Sequence, residues 1–255
     1  EAVAAKPECV RAVRREQDRR VPIEAVLLAG DAVDDVALPR RATTTAGAAA
    51  ATCAALTPQA LHFSVMAGLR TDDMARLLGT PRIVRAMPNT PALIGQGMTG
   101  LFATATTNDE EQRLAQTICD AVGTTIWVKD ESLMNAVTAV SGSGPAYVFA
   151  FLESLETAAA SLGIDATTAR TLAIQTVLGA ANLAAQSNDA PGTLREKVTS
   201  KGGTTFAALQ VLEQNQWSKI IAKAIHAADA SHQSHQSQCR LAVAACTNHF
   251  QHRED

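Results

Sequence analysis

Aromatic side chains are scarce, at 4% of the 255 residues, and Tyr147 is the single tyrosine. A core of stacked rings is therefore excluded. With 47% apolar and 18% charged residues, the chain still has the balance of a folded protein rather than a disordered one. Small and aliphatic side chains must fill the interior, which suits closely packed helices. An excess of charge is also missing. The formal net charge is −3 and the pI is about 6.1, so the totals imply no basic face and no nucleic-acid partner. No run of roughly 18 apolar residues occurs, and no membrane span is expected. The start at Glu1 lacks the basic-then-apolar order of a secretory signal. The cysteines Cys9, Cys53, Cys119, Cys239 and Cys246 form an odd set without a Cys-x-x-Cys pair. Reduced thiols in a cytoplasmic protein are the expectation.

Regular structure is hard to read before Leu61. The opening carries Arg11, Arg14, Arg15, Arg19 and Arg20. Val26-Leu27-Leu28-Ala29-Gly30 suits a short buried strand, and Ala42 to Ala55 is almost entirely Ala and Thr. Further on the texture sharpens. Strands are expected at His62–Met66, Arg82–Met87, Leu101–Thr104 and Thr125–Val128. A helix with Thr71 as N-cap should end near Gly79. A second should run from Asp109 to Ala121, capped by Asn108 and stopped by Gly123. This alternation over residues 61–128 is the pattern of a layered α/β domain.

Strand signals stop after Lys129, and residues 129–255 read as all-α with a polar tail. Helices are expected at 131–140, 145–162, 166–186, 204–215 and 216–230, with a tight break at Ser141-Gly142-Ser143-Gly144-Pro145 and a polar link at Pro191-Gly192 leading to Thr193–Val198. Several are apolar around most of their circumference, as Val148, Phe149, Phe151, Leu152 and Leu155 illustrate. Such helices must be buried on more than one side, so a second copy is expected to cover some of that surface. The tail holds His232-x-x-His235, His249 and His252. It reads as a solvated polar face; no third ligand is placed, and no metal site is expected.

Three motifs carry chemistry. In Val198-Thr199-Ser200-Lys201-Gly202-Gly203-Thr204-Thr205, glycines and threonines open an apolar helix. Glycine admits close approach to the backbone, and free N–H groups at a helix start hold carboxylate or phosphate. A flexible loop with a simple helix cap fits the same residues. Ser141-Gly142-Ser143-Gly144-Pro145-Ala146-Tyr147 lacks the spacing of a dinucleotide loop. Close helix packing with serine hydroxyls near a ligand suits it better, and Tyr147 suits a core position. Met87-Pro88-Asn89-Thr90-Pro91 lies at a strand's carboxyl end, where ligands bind in open α/β sheets; a rigid turn explains it equally well.

In this order, and with Ser64-Val65-Met66-Ala67-Gly68 ahead of them, these motifs resemble the pyrroline-5-carboxylate reductase family over about residues 61–231. The resemblance implies a Rossmann-like dinucleotide-binding domain over 1–128 and a helical dimerisation and substrate domain over 129–255. It implies reduction of 1-pyrroline-5-carboxylate to L-proline with NADPH or NADH. It also implies homodimers, which many relatives assemble into larger rings. Carried over by residue, Gly203, Thr204 and Thr205 hold the substrate carboxylate through backbone N–H groups, supported by Ser200. Thr205 is the catalytic candidate, its hydroxyl directed at the ring nitrogen. Glu131, Thr138 and Ser143 line the substrate pocket. Ala67, Gly68, Met87, Pro88 and Asn89 face the nicotinamide half of the cofactor.

The pattern departs from the family in residues 1–60, which contain only Gly30 and Gly47 and no glycine-rich phosphate loop. Where relatives carry Ala-Val-Lys-Pro, this chain has Arg41-Ala42-Thr43-Thr44-Thr45. On the resemblance roughly one βα unit is absent, and the Arg/Ala/Thr-rich composition suggests a shifted reading frame. Without the loop, weak cofactor binding and low activity are expected. The alternative from another class is a homodimerising remnant without redox chemistry. A related reductase acting on another imine or a keto acid fits the intact Gly-Gly-Thr-Thr run less well.

Overall fold

The computed structural model describes residues 26–28 and 61–251. Five short strands form one mixed sheet in chain order: β1 (Val26–Leu28), β2 (His62–Ser64), β3 (Ile83–Met87), β4 (Gly97–Ala103) and β5 (Gly123–Trp127). β1, β2 and β3 run parallel, with His62 opposite Ile83; β4 is antiparallel to β3, with Val84 opposite Ala103; β5 returns parallel to β4. The strand expected at 26–30 is present as β1, while the Ala/Thr tract and residues 41–45 lie outside the described residues.

β3 shows why the sheet is buried on both faces. Its residues alternate between two apolar clusters, the period-two pattern of a strand. Val84 and Ala86 join Leu61, Phe63, Leu101, Ala115 and Cys119 on one face. Ile83 joins Leu69 and Met74 on the other. The first cluster is covered by α2 (Asp109–Asp120), the second by α1 (Thr71–Leu78). Asn108 and Glu111 form a reciprocal capping box at the start of α2, as the cap signal predicts. Gly79 ends α1 in the left-handed conformation.

Three local expectations are corrected. Thr71 is the first helical residue of α1 and Arg70 the N-cap; the Thr71 hydroxyl is drawn away to Glu131. Gly123 opens β5 rather than stopping α2. Its α-carbon lies so close to the Gly97 backbone that a Cβ would fall on the Gly97 carbonyl oxygen. β4 begins at Gly97 and not at Leu101, because Gly97 to Gly100 already pair with β5 from Gly123 to Ile126; the bare α-carbon of Gly100 leaves room for Val137.

The expected break at 141–145 narrows to Ser143, which lies between a π turn and the next helix. α3 (Leu133–Val137) passes into a π turn (Thr138–Gly142), closed by the Ser143 N–H donating to the Thr138 carbonyl at 2.8 Å. The remaining helices are α4 (Gly144–Ser161), α5 (Ala166–Gln186), α6 (Pro191–Lys197), α7 (Thr204–Gln214) and α8 (Trp217–Gln251). Asp165 caps α5 by accepting from the Thr168 N–H. The helix expected to end near Ala230 instead continues through the polar tail to Gln251 as part of α8. The chain forms two compact units. One runs to Ser143 and includes the chain from Ala228 onward; the other is Gly144–Ala227.

Candidate active site

The carboxyl ends of β2 and β3 lie side by side because the strands are parallel, and they deliver Ala67, Gly68, Met87, Pro88 and Asn89 to one edge of the sheet. Ala67, Met87, Pro88 and Asn89 are half-buried there. Gly68 is buried, with φ +85°, and serves packing. A Cβ on it would stand 2.7 Å from His235 Cδ2 and 3.1 Å from Cys239 Sγ on α8. The Asn89 carboxamide is engaged at both ends. Its Nδ2 donates to the Ser141 carbonyl at 3.2 Å and to Ser141 Oγ at 3.3 Å, and its Oδ1 accepts from the Met98 N–H at 2.9 Å.

Glu131 is buried, and its carboxylate is surrounded by donors. Oε1 accepts from the Thr71 N–H at 2.7 Å and from Arg85 Nη1 at 3.1 Å. Oε2 accepts from Thr71 Oγ1 at 2.9 Å and lies 3.5 Å from Arg70 Nη2. It therefore occupies the positive start of α1, where a carboxylate is stabilised by free N–H groups and the helix dipole. Burial pushes the Arg85 pKa down; Glu131 opposes that shift and Arg70 adds to it. Thr138 is buried with its hydroxyl donating to the Met134 carbonyl at 2.8 Å. Ser143 is half-buried at the end of the π turn. A Cβ on Gly142 would lie 3.1 Å from Met87 Cε, so the turn rests on the strand end.

In the other unit, Ser200, Gly203, Thr204 and Thr205 stand together at the start of α7. The Gly203 N–H is taken by the Ser200 carbonyl at 3.0 Å, and a Cβ on Gly203 would meet Ser200 Oγ at 2.6 Å. No side chain caps α7. Its first donors, the exposed Thr204 and Thr205, thus present N–H groups that have no acceptor one turn back. Of the three backbone donors expected to hold a carboxylate, Gly203 is already committed.

Several contributors escape a sequence reading. Arg85 and Thr71 complete the setting of Glu131, and Ser141 that of Asn89. A lone arginine between apolar strand residues was the available signal, since a buried charge requires a partner. Of the tail histidines, His232 and His235 are half-buried rather than solvated. The His232 pKa is lowered first by burial and then by Arg85 and His235, with Asp229 opposing. Among the described residues, no group of three or more His, Cys, Asp or Glu side chains is placed to hold a metal.

A mixed α/β sheet with parallel strand ends side by side, followed by an all-α segment, is an incomplete Rossmann-like architecture joined to a helical domain. The family model for pyrroline-5-carboxylate reductase dimerisation matches residues 131–235. The chain is 47% identical over 169 residues to the pyrroline-5-carboxylate reductase of Haemophilus influenzae, covering 66% of this chain and 62% of that protein. It is 43% identical over 175 residues to that of Pseudomonas aeruginosa, covering 68% and 64%. The solved pyrroline-5-carboxylate reductase of Coxiella burnetii superposes with a TM-score of 0.71 at 39% identity, covering 77% of this chain and 73% of that one. The Plasmodium falciparum pyrroline carboxylate reductase, solved with NADP bound, gives 0.70 at 27% identity, covering 78% of each. This chain belongs to the pyrroline-5-carboxylate reductase family. Its match spans about three fifths of the length of the curated relatives.

Proposed function

We propose that the chain reduces 1-pyrroline-5-carboxylate to L-proline with NADPH or NADH, the last step of proline synthesis. We further propose that it works as a cytoplasmic homodimer able to build larger rings. The observation that carries this reading is the uncapped start of α7, where Thr204 and Thr205 offer backbone N–H groups and hydroxyls to a small carboxylate. The strand-end residues suit the nicotinamide half of the cofactor: Ala67, Met87 and Pro88 are half-buried and apolar, as a flat ring requires. Gly68 supports that edge by packing. A cradle for the pyrophosphate would fall outside the described residues.

When bound, the reduced nicotinamide supplies the hydride that adds to the carbon of the ring C=N bond. The chain's own residues hold and polarise the substrate. The N–H groups of Thr204 and Thr205 take the carboxylate. The Thr205 hydroxyl hydrogen-bonds the ring nitrogen, whose protonated form accepts hydride more readily. Thr138 and Ser143, at the π turn, are residues that the family resemblance assigns to the substrate. Loss of NADPH absorbance on adding the pyrroline substrate tests the reading. Thr205→Val should reduce turnover by about 10²-fold, and absence of turnover in the unaltered chain would refute catalysis.

A second reading is favoured by one observation, the lack of a glycine-rich loop in residues 1–60. On it the chain is a homodimer without redox chemistry. Titration with NADPH separates the two, because saturable binding belongs only to the first.

A further inference from the structure

We infer that Asn89 is a positioning residue: its carboxamide replaces the N–H that Pro145 lacks and thereby fastens the π turn to the end of β3. The catalytic consequence rests on the reductase reading above; the contact itself rests on geometry.

In a helix that continues, the N–H of residue i+4 donates to the carbonyl of residue i. For Ser141 that donor belongs to residue 145, and residue 145 is proline, which has none. A half-buried carbonyl left in this way needs another donor. Asn89 Nδ2 supplies it at 3.2 Å and reaches Ser141 Oγ at 3.3 Å. The other end of the amide accepts from the Met98 N–H at 2.9 Å. One face of the contact is a carbonyl acceptor and the other an N–H donor, and the two ends of a carboxamide satisfy both. An aspartate would set an acceptor against the Ser141 carbonyl.

Within one unit, the clasp joins residues proposed to face the cofactor to residues proposed to face the substrate. Met87 and Pro88, beside Asn89, are on the cofactor side. Thr138 and Ser143, bracketing the turn, are on the substrate side. Gly142 lets Met87 lie against the turn, since a Cβ there would come within 3.1 Å of Met87 Cε. Hydride transfer requires reacting atoms held to a fraction of an ångström, and a displacement of about 1 Å can cost about 10²-fold in rate. Loss of the clasp should therefore lower kcat and leave KM nearly unchanged.

The test uses the full chain carrying Asn89→Ala, and the same chain carrying both Asn89→Ala and Pro145→Ala. Amide hydrogen exchange of the peptide spanning residues 138–146 is read beside kcat and KM. Asn89→Ala is expected to speed exchange there by about tenfold and to lower kcat by about 10–100-fold with KM within about threefold. Adding Pro145→Ala restores an N–H one turn beyond Ser141, and both readouts should return most of the way. A double variant as impaired as Asn89→Ala, or an Asn89→Ala chain with unaltered exchange, overturns the inference. If Asn89→Ala does not fold, recovery of folded protein by the second substitution supports it, and failure to recover overturns it. An unaltered chain without turnover counts against the reductase reading, while the exchange comparison still decides the clasp.

Discussion

The Arg85 guanidinium and the Glu131 carboxylate meet 3.1 Å apart in the interior, their side chains 1% and 5% exposed. The pair joins the middle of β3 to the first residue matched by the dimerisation model, and Thr71 ties the start of α1 to the same carboxylate. Arg85 Nη2 is buried without a hydrogen-bond partner, so the guanidinium depends on Glu131 for compensation. Glu131→Gln leaves that charge uncompensated and should cost about 3–5 kcal/mol in urea unfolding. Replacing both residues, with Arg85→Met and Glu131→Gln, should cost less than the sum of the single changes. Simple additivity would show that the pair is not coupled.

His232 gives the fold a dependence on mild acid. Its folded pKa lies below the ordinary histidine value, through burial first and then the positive Arg85 and neighbouring His235, partly offset by Asp229. As pH falls through the unfolded value, the unfolded chain takes up a proton that the folded chain refuses. Stability is therefore full above the unfolded value, declines as pH falls below it, and levels off once the folded pKa is passed. The thermal midpoint should drop between about pH 7 and pH 5, and His232→Gln should reduce that drop. An equal drop in the variant would assign the acid sensitivity to other groups.

What the sequence discloses follows the range of the interactions. The capping box of Asn108 and Glu111 and the Asp165 cap are legible because both partners lie within three residues. The alternation of strands and helices over 61–128 is legible for the same reason. Thr71 was misread because its hydroxyl partner lies 60 residues away. The sequence shows 138–140 as helix and, from its Ser-Gly-Ser-Gly composition, 141–145 as a break; the π turn that spans 138–142 is disclosed only by the bond from Ser143 to Thr138. His235 reads as solvated because nothing in the local pattern shows that it meets Gly68. The candidate site divides likewise. Contiguous runs locate the strand end and the start of α7, whereas the environments of Glu131 and Asn89 depend on residues remote in sequence.

The junction of Gly97 and Gly123 makes a sharper prediction about the sheet edge. Gly123 has φ +154°, a conformation that side-chain-bearing residues rarely adopt, and a Cβ there would collide with the Gly97 backbone. Backbone on both sides leaves no flexible side chain to move aside. Gly123→Ala should cost more than about 1 kcal/mol and raise exchange in β5 and the adjoining part of β4, seen by hydrogen exchange of those peptides. Gly79→Ala provides a comparison. It shares a positive φ, +67°, but has open space around the α-carbon, so it reports backbone strain without a clash. Equal losses at the two positions would mean that the Gly97 contact contributes nothing.

The helical unit should require a second copy to be stable. No residue of α4 is buried, although it carries Val148, Phe149 and Phe151. Phe149 is 63% exposed, and on α7 Val211 is 57% exposed. Helices this apolar are stable in water only when another surface covers them. A second copy fits because a symmetric interface presents the same apolar patch from both sides. Sedimentation velocity should find the chain dimeric at micromolar concentration, with a thermal midpoint that rises with protein concentration, since only the folded state associates. Phe149→Asp places a charge in the apolar patch and should shift the population to monomer or to aggregate, with loss of that concentration dependence. A stable monomeric wild-type chain with a concentration-independent midpoint would show that these helices are satisfied without a partner.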